Sequence, residues 1–91
     1  MGAPEANRTV VVRHEQGLHA RPAEMVARAA MAFSARVEIV RDGQRVDAKS
    51  ILNILTLGAT QGTTLLLEAC GEDAAAAVDK IAELVEGDFE Q

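Results

Sequence analysis

The chain is expected to fold as an α+β domain, with helices laid over one face of a mostly antiparallel sheet. Three observations predict this. The periodicities run strand, helix, strand, strand, helix, strand, helix, and Asp42-Gly43 joins two of the strand segments as a tight hairpin. The length of 91 residues suits a single small domain with one core.

Residues 1–7 are small and polar and read as a flexible leader, leaving 8–91 as the domain. Arg8-Thr9-Val10-Val11-Val12-Arg13 is β-branched and is expected to be the first strand, with Val10 and Val12 on one face. From Ala20 to Phe33 the apolar positions Ala23, Val26, Ala27, Ala30 and Phe33 recur at helical spacing. Pro22 fits near the start of that helix, where the missing N–H has no intrahelical partner in any case. Arg36 to Arg41 alternates, with Val37 and Ile39 buried, and after the hairpin Gln44 to Ala48 should return antiparallel. Ser50 reads as the N-cap of a short helix, Ile51 to Leu57, stopped by Gly58. Asn53 stands where a capping box would carry Glu or Gln. Thr64 to Cys70 forms a last strand with Leu65, Leu67 and Ala69 on one side and Leu66, Glu68 and Cys70 on the other. Asp73 to Glu86 forms a last helix with Ala74, Val78, Ile81, Ala82 and Val85 on one face. Acids at its start suit the helix dipole, and Gly87 can end it.

The composition removes several classes of function. A net charge of −5 argues against nucleic acid as a partner, since phosphate backbones call for clustered Lys and Arg. Two aromatic residues, Phe33 and Phe89, leave the core to Val, Leu, Ile and Ala. One cysteine, Cys70, excludes an internal disulfide and fits a reducing compartment. No apolar run approaches the length of a membrane span, and Met1 to Glu5 lacks the basic and apolar regions of a signal peptide, so a cytoplasmic protein is expected. No nucleotide loop, no paired carboxylates near His19 and no serine or cysteine nucleophile with an orienting partner are present; an enzyme is not expected, nor is a cofactor.

The residues that bear chemistry lie in Gly17-Leu18-His19-Ala20-Arg21-Pro22-Ala23-Glu24-Met25-Val26. His19 stands just ahead of the first free N–H groups of a helix, where an anion binds. A neutral imidazole can accept a phosphoryl group on a ring nitrogen and release it again. The helix start stabilises the added charge by roughly 0.3–1 kcal/mol. Arg21 can add charge-assisted hydrogen bonds to the phosphate oxygens, and Gly17 lets the chain turn so that His19 is exposed. The plainer readings are a capping or surface histidine and a solvated first-turn arginine. His14 lies five residues before His19, and a strand end plus a turn is not expected to hold the two at a fixed distance, so no metal site is expected. Ser50 is a cap, and Cys70 a small side chain on the open face of the sheet.

The chain from about Arg8 onward resembles the HPr family, the histidine-containing phosphocarriers of the bacterial phosphoenolpyruvate-dependent sugar phosphotransferase system. Gly17 to Ala23 resembles the family's active-site signature, and Ala48-Lys49-Ser50-Ile51-Leu52-Asn53-Ile54-Leu55-Thr56-Leu57-Gly58 resembles its second signature, around a regulatory serine. Ala59-Thr60-Gln61-Gly62-Thr63 is similar to the family's connection into its last strand. The resemblance implies an open-faced β-sandwich, a four-stranded antiparallel sheet with three helices on one face in the order βαββαβα. It implies a carrier that accepts a phosphoryl group on Nδ1 of His19 from enzyme I, ultimately from phosphoenolpyruvate, and passes it to enzyme IIA components for sugar uptake. Arg21 then contacts the phosphoryl group. Ser50 matches the serine that a kinase phosphorylates in many Gram-positive relatives, which would add a serine kinase or phosphatase and a transcriptional regulator as partners. Ala20, Leu52 and Leu55 form the implied docking patch, and a carrier of this size is expected to be monomeric.

Asn53 departs from the glycine of many Gram-positive members, and Leu57 to Thr63 is closer to proteobacterial ones. Two rival readings keep the fold. One is an HPr-like regulator of the nitrogen-related phosphotransferase branch. The other is a binding module acting through Ser50 phosphorylation with His19 idle. An enzyme using His19 as general base ranks behind both, for want of a pocket or partner residue.

Overall fold

A computed structural model describes residues 2–87. The elements are β1 (Glu5–Val11), α1 (Ala20–Met31), β2 (Arg36–Arg41), β3 (Gln44–Asp47), α2 (Ile51–Thr56), β4 (Thr64–Cys70) and α3 (Ala74–Glu86). The order is βαββαβα, and the sheet runs β1-β4-β2-β3 with every neighbouring pair antiparallel.

The strands alternate as their side chains require. Val10, Val37, Ile39, Val46, Leu65, Leu67 and Ala69 are buried on the helix-covered face. They meet Ala23, Val26, Ala27 and Ala30 of α1 and Ala74, Ala77, Val78, Ile81, Ala82 and Val85 of α3 in one core. The paucity of aromatic residues leaves this core to aliphatic side chains, among which Ile39, Ile54, Leu65, Leu67 and Ile81 are the largest fully buried ones. The other face is open. It carries Asn7, Glu38, Arg45, Leu66, Glu68 and Cys70. Glu38 and Glu68 stand directly opposite each other there, a repulsive placement that Arg45 offsets by bonding both carboxylates.

The first strand begins earlier than the sequence suggests. Glu5, Ala6 and Asn7, expected to belong to a flexible leader, pair with Cys70, Ala69 and Glu68. Polar residues with no apolar alternation carry no strand signal of their own, and here the neighbouring β4 imposes the conformation. Met1 and residues 88–91, Phe89 among them, lie outside the described residues.

The connections are held by local chemistry. Asp42 and Gly43 both adopt positive φ, 49° and 85°, as the hairpin turn demands. Arg41 donates through Nη1 to the carbonyls of Leu57 (2.6 Å) and Gly58 (3.0 Å), closing the C-terminal end of α2. Lys49 donates to the Phe33 carbonyl at 2.9 Å and ties the start of α2 to the end of α1. Asp73 does not cap α3 with its side chain. Its carboxylate instead accepts from the backbone N–H groups of Ser34 (2.9 Å) and Ala35 (2.8 Å), pinning the turn between α1 and β2. Ser34 and then Ala35 hold that carboxyl below the usual carboxylate range, against a partial desolvation that pushes it up.

Candidate functional site

His19 is the N-cap residue of α1, with extended backbone and no side-chain cap bond. Its carbonyl accepts the first helical bond, from the Ala23 N–H at 2.9 Å. Its imidazole is exposed, as are Ala20 and Arg21, whereas Leu18 just before it is buried and anchors the segment. The N–H groups of Ala20 and Arg21 have no acceptor among the described residues, and Pro22 has no N–H to satisfy. The Arg21 guanidinium forms no ion pair among the described residues, while the neighbouring Glu24 is paired with Arg28 at 3.1 Å.

Two backbone features aim the segment. Gly17 has φ +73°, and a Cβ built there would lie 2.4 Å from the Ala59 carbonyl oxygen and 2.9 Å from Thr60 Cα. Only glycine fits on both counts. The Leu18 N–H then donates to that same Ala59 carbonyl at 2.9 Å. The 59–63 loop is stitched back to the end of β1 by Val12 N–H to Thr63 O (2.9 Å), Gly62 N–H to Val12 O (2.8 Å) and Gln61 Nε2–H to Arg13 O (3.2 Å). The position of His19 is thus set by a loop some forty residues away in the chain.

His14 is held where the sequence offered no reason to expect it. Its carbonyl accepts the Gly17 N–H at 2.9 Å and its Nδ1 accepts the Gln16 N–H at 3.2 Å. The ring lies 5.6 Å, centroid to centroid, from that of His19, tilted by 50°. A strand end and a turn are not expected to hold two side chains at a fixed distance, yet the rings come together here, with bonds to residues 59–63 on either side of the turn. No group of three or more His, Cys, Asp or Glu among the described residues could hold a metal ion.

Ser50 is separated from this turn in the chain by α1 and the β2–β3 hairpin. Its Oγ accepts the Asn53 N–H at 3.1 Å, so it is the cap that its place in the sequence suggests. Asn53, in the position of a capping-box acid, turns its Oδ1 to the Asp47 N–H at 3.4 Å. Of the implied docking residues, Leu52 is 74% exposed and Ala20 is exposed, but Leu55 is half-buried against the core. Ile51, which the sequence did not single out, is exposed at 39% next to Leu52. Helical periodicity over six residues is too short to tell which of three aliphatic positions faces out. A shallow polar depression of about 300 Å³ lies on the open face of the sheet, lined by residues such as Asn7, Glu38, Arg45, Glu68 and Cys70; it includes none of the His19 segment.

The fold and site together define a class: small open-faced α+β domains that present one histidine from a helix start at their surface. Comparison with known proteins agrees. Residues 6–87 match the family described as PTS HPr component phosphorylation site, and the chain belongs to this HPr family of phosphotransferase-system phosphocarriers. It is 42% identical over 87 residues to the phosphocarrier protein HPr of Streptomyces coelicolor, covering 94% of each chain. It is 38% identical over 84 residues to the phosphocarrier protein NPr of Shewanella violacea, covering 92% of each. The crystal structure of HPr-C-His from Thermoanaerobacter tengcongensis superposes with a TM-score of 0.89 at 36% identity, covering 94% of this chain and 98% of that one. No helix among the described residues is long and apolar enough to cross a membrane.

Proposed function

We propose that the chain carries a phosphoryl group on His19, taken from enzyme I and passed to enzyme IIA components in the cytoplasm, and that it does so as a monomer without acting as an enzyme itself. The observation that carries this reading is the exposed imidazole at the start of α1, beside two N–H groups without acceptors and an arginine without an ion-pair partner among the described residues. The neutral ring attacks phosphorus through one nitrogen, Nδ1 by resemblance to the family. The bond from phosphorus to the donor nitrogen breaks as the new P–N bond forms, and the reverse exchange delivers the group to the acceptor. The Ala20 and Arg21 N–H groups and the Arg21 guanidinium supply positive potential where the phosphate oxygens arrive. A surface histidine suits such a carrier, because partners of different shape must reach it by turns.

Docking is assigned to Ala20, Leu52 and Ile51, with Leu55 supporting from below. Ser50 is assigned a regulatory role on the resemblance of residues 48–58. Phosphorylation there would place negative charge beside Leu52 and act by repelling acidic partners instead of unfolding the domain. A large fall in melting temperature on phosphorylating Ser50 would count against that. The comparable identities to an HPr and to an NPr favour neither the sugar nor the nitrogen-related branch. Which enzyme I and enzyme IIA proteins exchange phosphate with the chain decides between them.

The test is intact mass after incubation with phosphoenolpyruvate and enzyme I, with His19→Ala in parallel. One acid-labile phosphoryl group, absent from His19→Ala, is expected. A folded protein that gains none with enzyme I from its own source would overturn the reading.

A further inference from the structure

On the reading of His19 as phosphoryl acceptor, we propose that Arg41, at the end of β2, is a positioning residue for that histidine. It acts through the carbonyls that close α2 and through the next peptide, which receives the Leu18 N–H. Arg41 lies outside both segments that resemble the family's signatures.

The connection runs bond by bond. The Arg41 guanidinium donates through Nη1 to Leu57 O at 2.6 Å and to Gly58 O at 3.0 Å. No backbone N–H among the described residues is bonded to either carbonyl. Gly58 turns the chain with φ +59° and passes it on to Ala59. The Ala59 carbonyl accepts the Leu18 N–H at 2.9 Å, and a Cβ on Gly17 would meet it at 2.4 Å. Three successive carbonyls are thus committed, two to a side chain of β2 and the third to the residue before His19. Leu57, Ala59 and Leu18 are all buried in the one core, where close packing passes a shift of one to the next.

The short α2 depends on this grip. It has six residues, only Ile54 of them buried, and no basic residue in its own last turn. The cation that a helix C-terminus favours therefore comes from β2, and bonds donated by a charged group are roughly twice as strong as neutral ones. Gln44 adds bonds from Nε2 to Thr56 O at 3.4 Å and Thr56 Oγ1 at 3.3 Å. The Asp42 carboxylate, 3.9 Å from Arg41 Nε, is 92% exposed and too well solvated to draw the guanidinium away. An acceptor must be held near its attacking geometry, since a misplacement of about 1 Å costs on the order of 100-fold in rate. Ile51 and Leu52 lie at the other end of α2. Loss of Arg41 is therefore expected in the rate of transfer within the complex and not in docking.

The experiment compares the parent chain with Arg41→Met, which keeps an unbranched stem and removes the donors. Enzyme I already phosphorylated by phosphoenolpyruvate is mixed with rising concentrations of chain in single turnovers, giving a saturating rate and a half-saturating concentration. Backbone amide exchange is read in parallel by NMR. The variant is expected to lower the saturating rate about 3–10-fold and to leave the half-saturating concentration within about twofold, in the range by which changes along a packed network alter coupling. The Leu18 N–H is expected to exchange about 3–10-fold faster, beyond any change at Ile39 and Leu67, whose place at the centre of the sheet makes them reporters of global opening. A saturating rate equal to the parent's overturns the proposal, and so does Leu18 exchange that rises only as far as that of Ile39 and Leu67. A loss confined to the half-saturating concentration overturns it too, by making Arg41 a docking residue. Should Arg41→Met fail to fold, Arg41→Lys decides by the same readings: its shorter side chain does not reach the place of Nη1, smaller changes of the same kind are expected, and parent values overturn the proposal. All these reversals leave His19 as the carrier. A parent chain that never acquires an acid-labile phosphoryl group overturns the carrier reading and this proposal with it.

Discussion

Single residues decide whether the site is presented at all. Gly17 is the clearest case, since any side chain there meets the Ala59 carbonyl at 2.4 Å while φ is +73°. Gly17→Ala is expected to destabilise the domain by more than about 1 kcal/mol. It is also expected to slow phosphoryl acceptance beyond that loss, as read by urea unfolding and by the rate of mass gain with enzyme I. Asp73 acts at the same scale through its protonation state. With its folded value held below the unfolded one, chiefly by the Ser34 and Ala35 N–H groups, it contributes stability that is present above the ordinary carboxylate value and lost as pH falls through the folded one. The stability of the parent is therefore expected to decline below about pH 4, and Asp73→Asn to decline less steeply there, in urea midpoints measured from pH 5 down to pH 2. Neither role is visible in the sequence. Gly17 reads as a turn residue without its close neighbour, and Asp73 reads as a helix-dipole acid, because its true partners lie 38 and 39 positions away.

Elements follow sequence where their signals are local. Val37 and Ile39 alternate and β2 runs from Arg36 to Arg41 as the pattern dictates; Asp42-Gly43 makes the turn; Ser50 caps α2. The helical stripe of α1 is buried as expected, except that the helix stops at Met31 and Phe33 reaches the core from beyond its end. What the sequence did not show are decisions made by a neighbour, such as the pairing of Glu5 to Asn7 with β4. His19, Arg21 and Ser50 are singled out by motifs alone, whereas the approach of His14 to His19 is not, because it involves the turn tied to the 59–63 loop. The short α2 combines a cap with an exposed apolar end, and the two should separate experimentally. Ser50→Ala is expected to cost about 1 kcal/mol in urea unfolding through loss of the bond to the Asn53 N–H. Leu52→Asp should leave stability within about 0.5 kcal/mol of the parent, as suits a side chain 74% exposed. It is expected to slow acceptance from enzyme I about tenfold, equivalent to about 1.4 kcal/mol of lost docking. Acceptance at the parent rate would move the docking surface elsewhere.

At the scale of the whole molecule, one aliphatic core does all the fastening, and the two faces of the sheet diverge in purpose. The helix-covered face is closed, and the presenting histidine sits at its rim, at the start of α1. The open face keeps a charged lattice in which Arg45 bridges Glu38 and Glu68 across three strands; the hydrogen bonds it donates to Glu68 and then to Glu38 raise its affinity for its proton further. Because His19 takes its place from a clasp between the end of β1 and residues 59–63, the reactive segment and its support come from opposite halves of the chain. A protein severed between Asp42 and Gly43, at the exposed tip of the β2–β3 hairpin, would carry His19 on one fragment and the 59–63 loop that supports it on the other. Neither fragment alone is expected to take phosphate from enzyme I at the intact rate, and mixing the two is expected to restore it as they reassemble. The histidine would then serve as a covalent reporter of complementation, its labelling counting how many molecules have found their missing half.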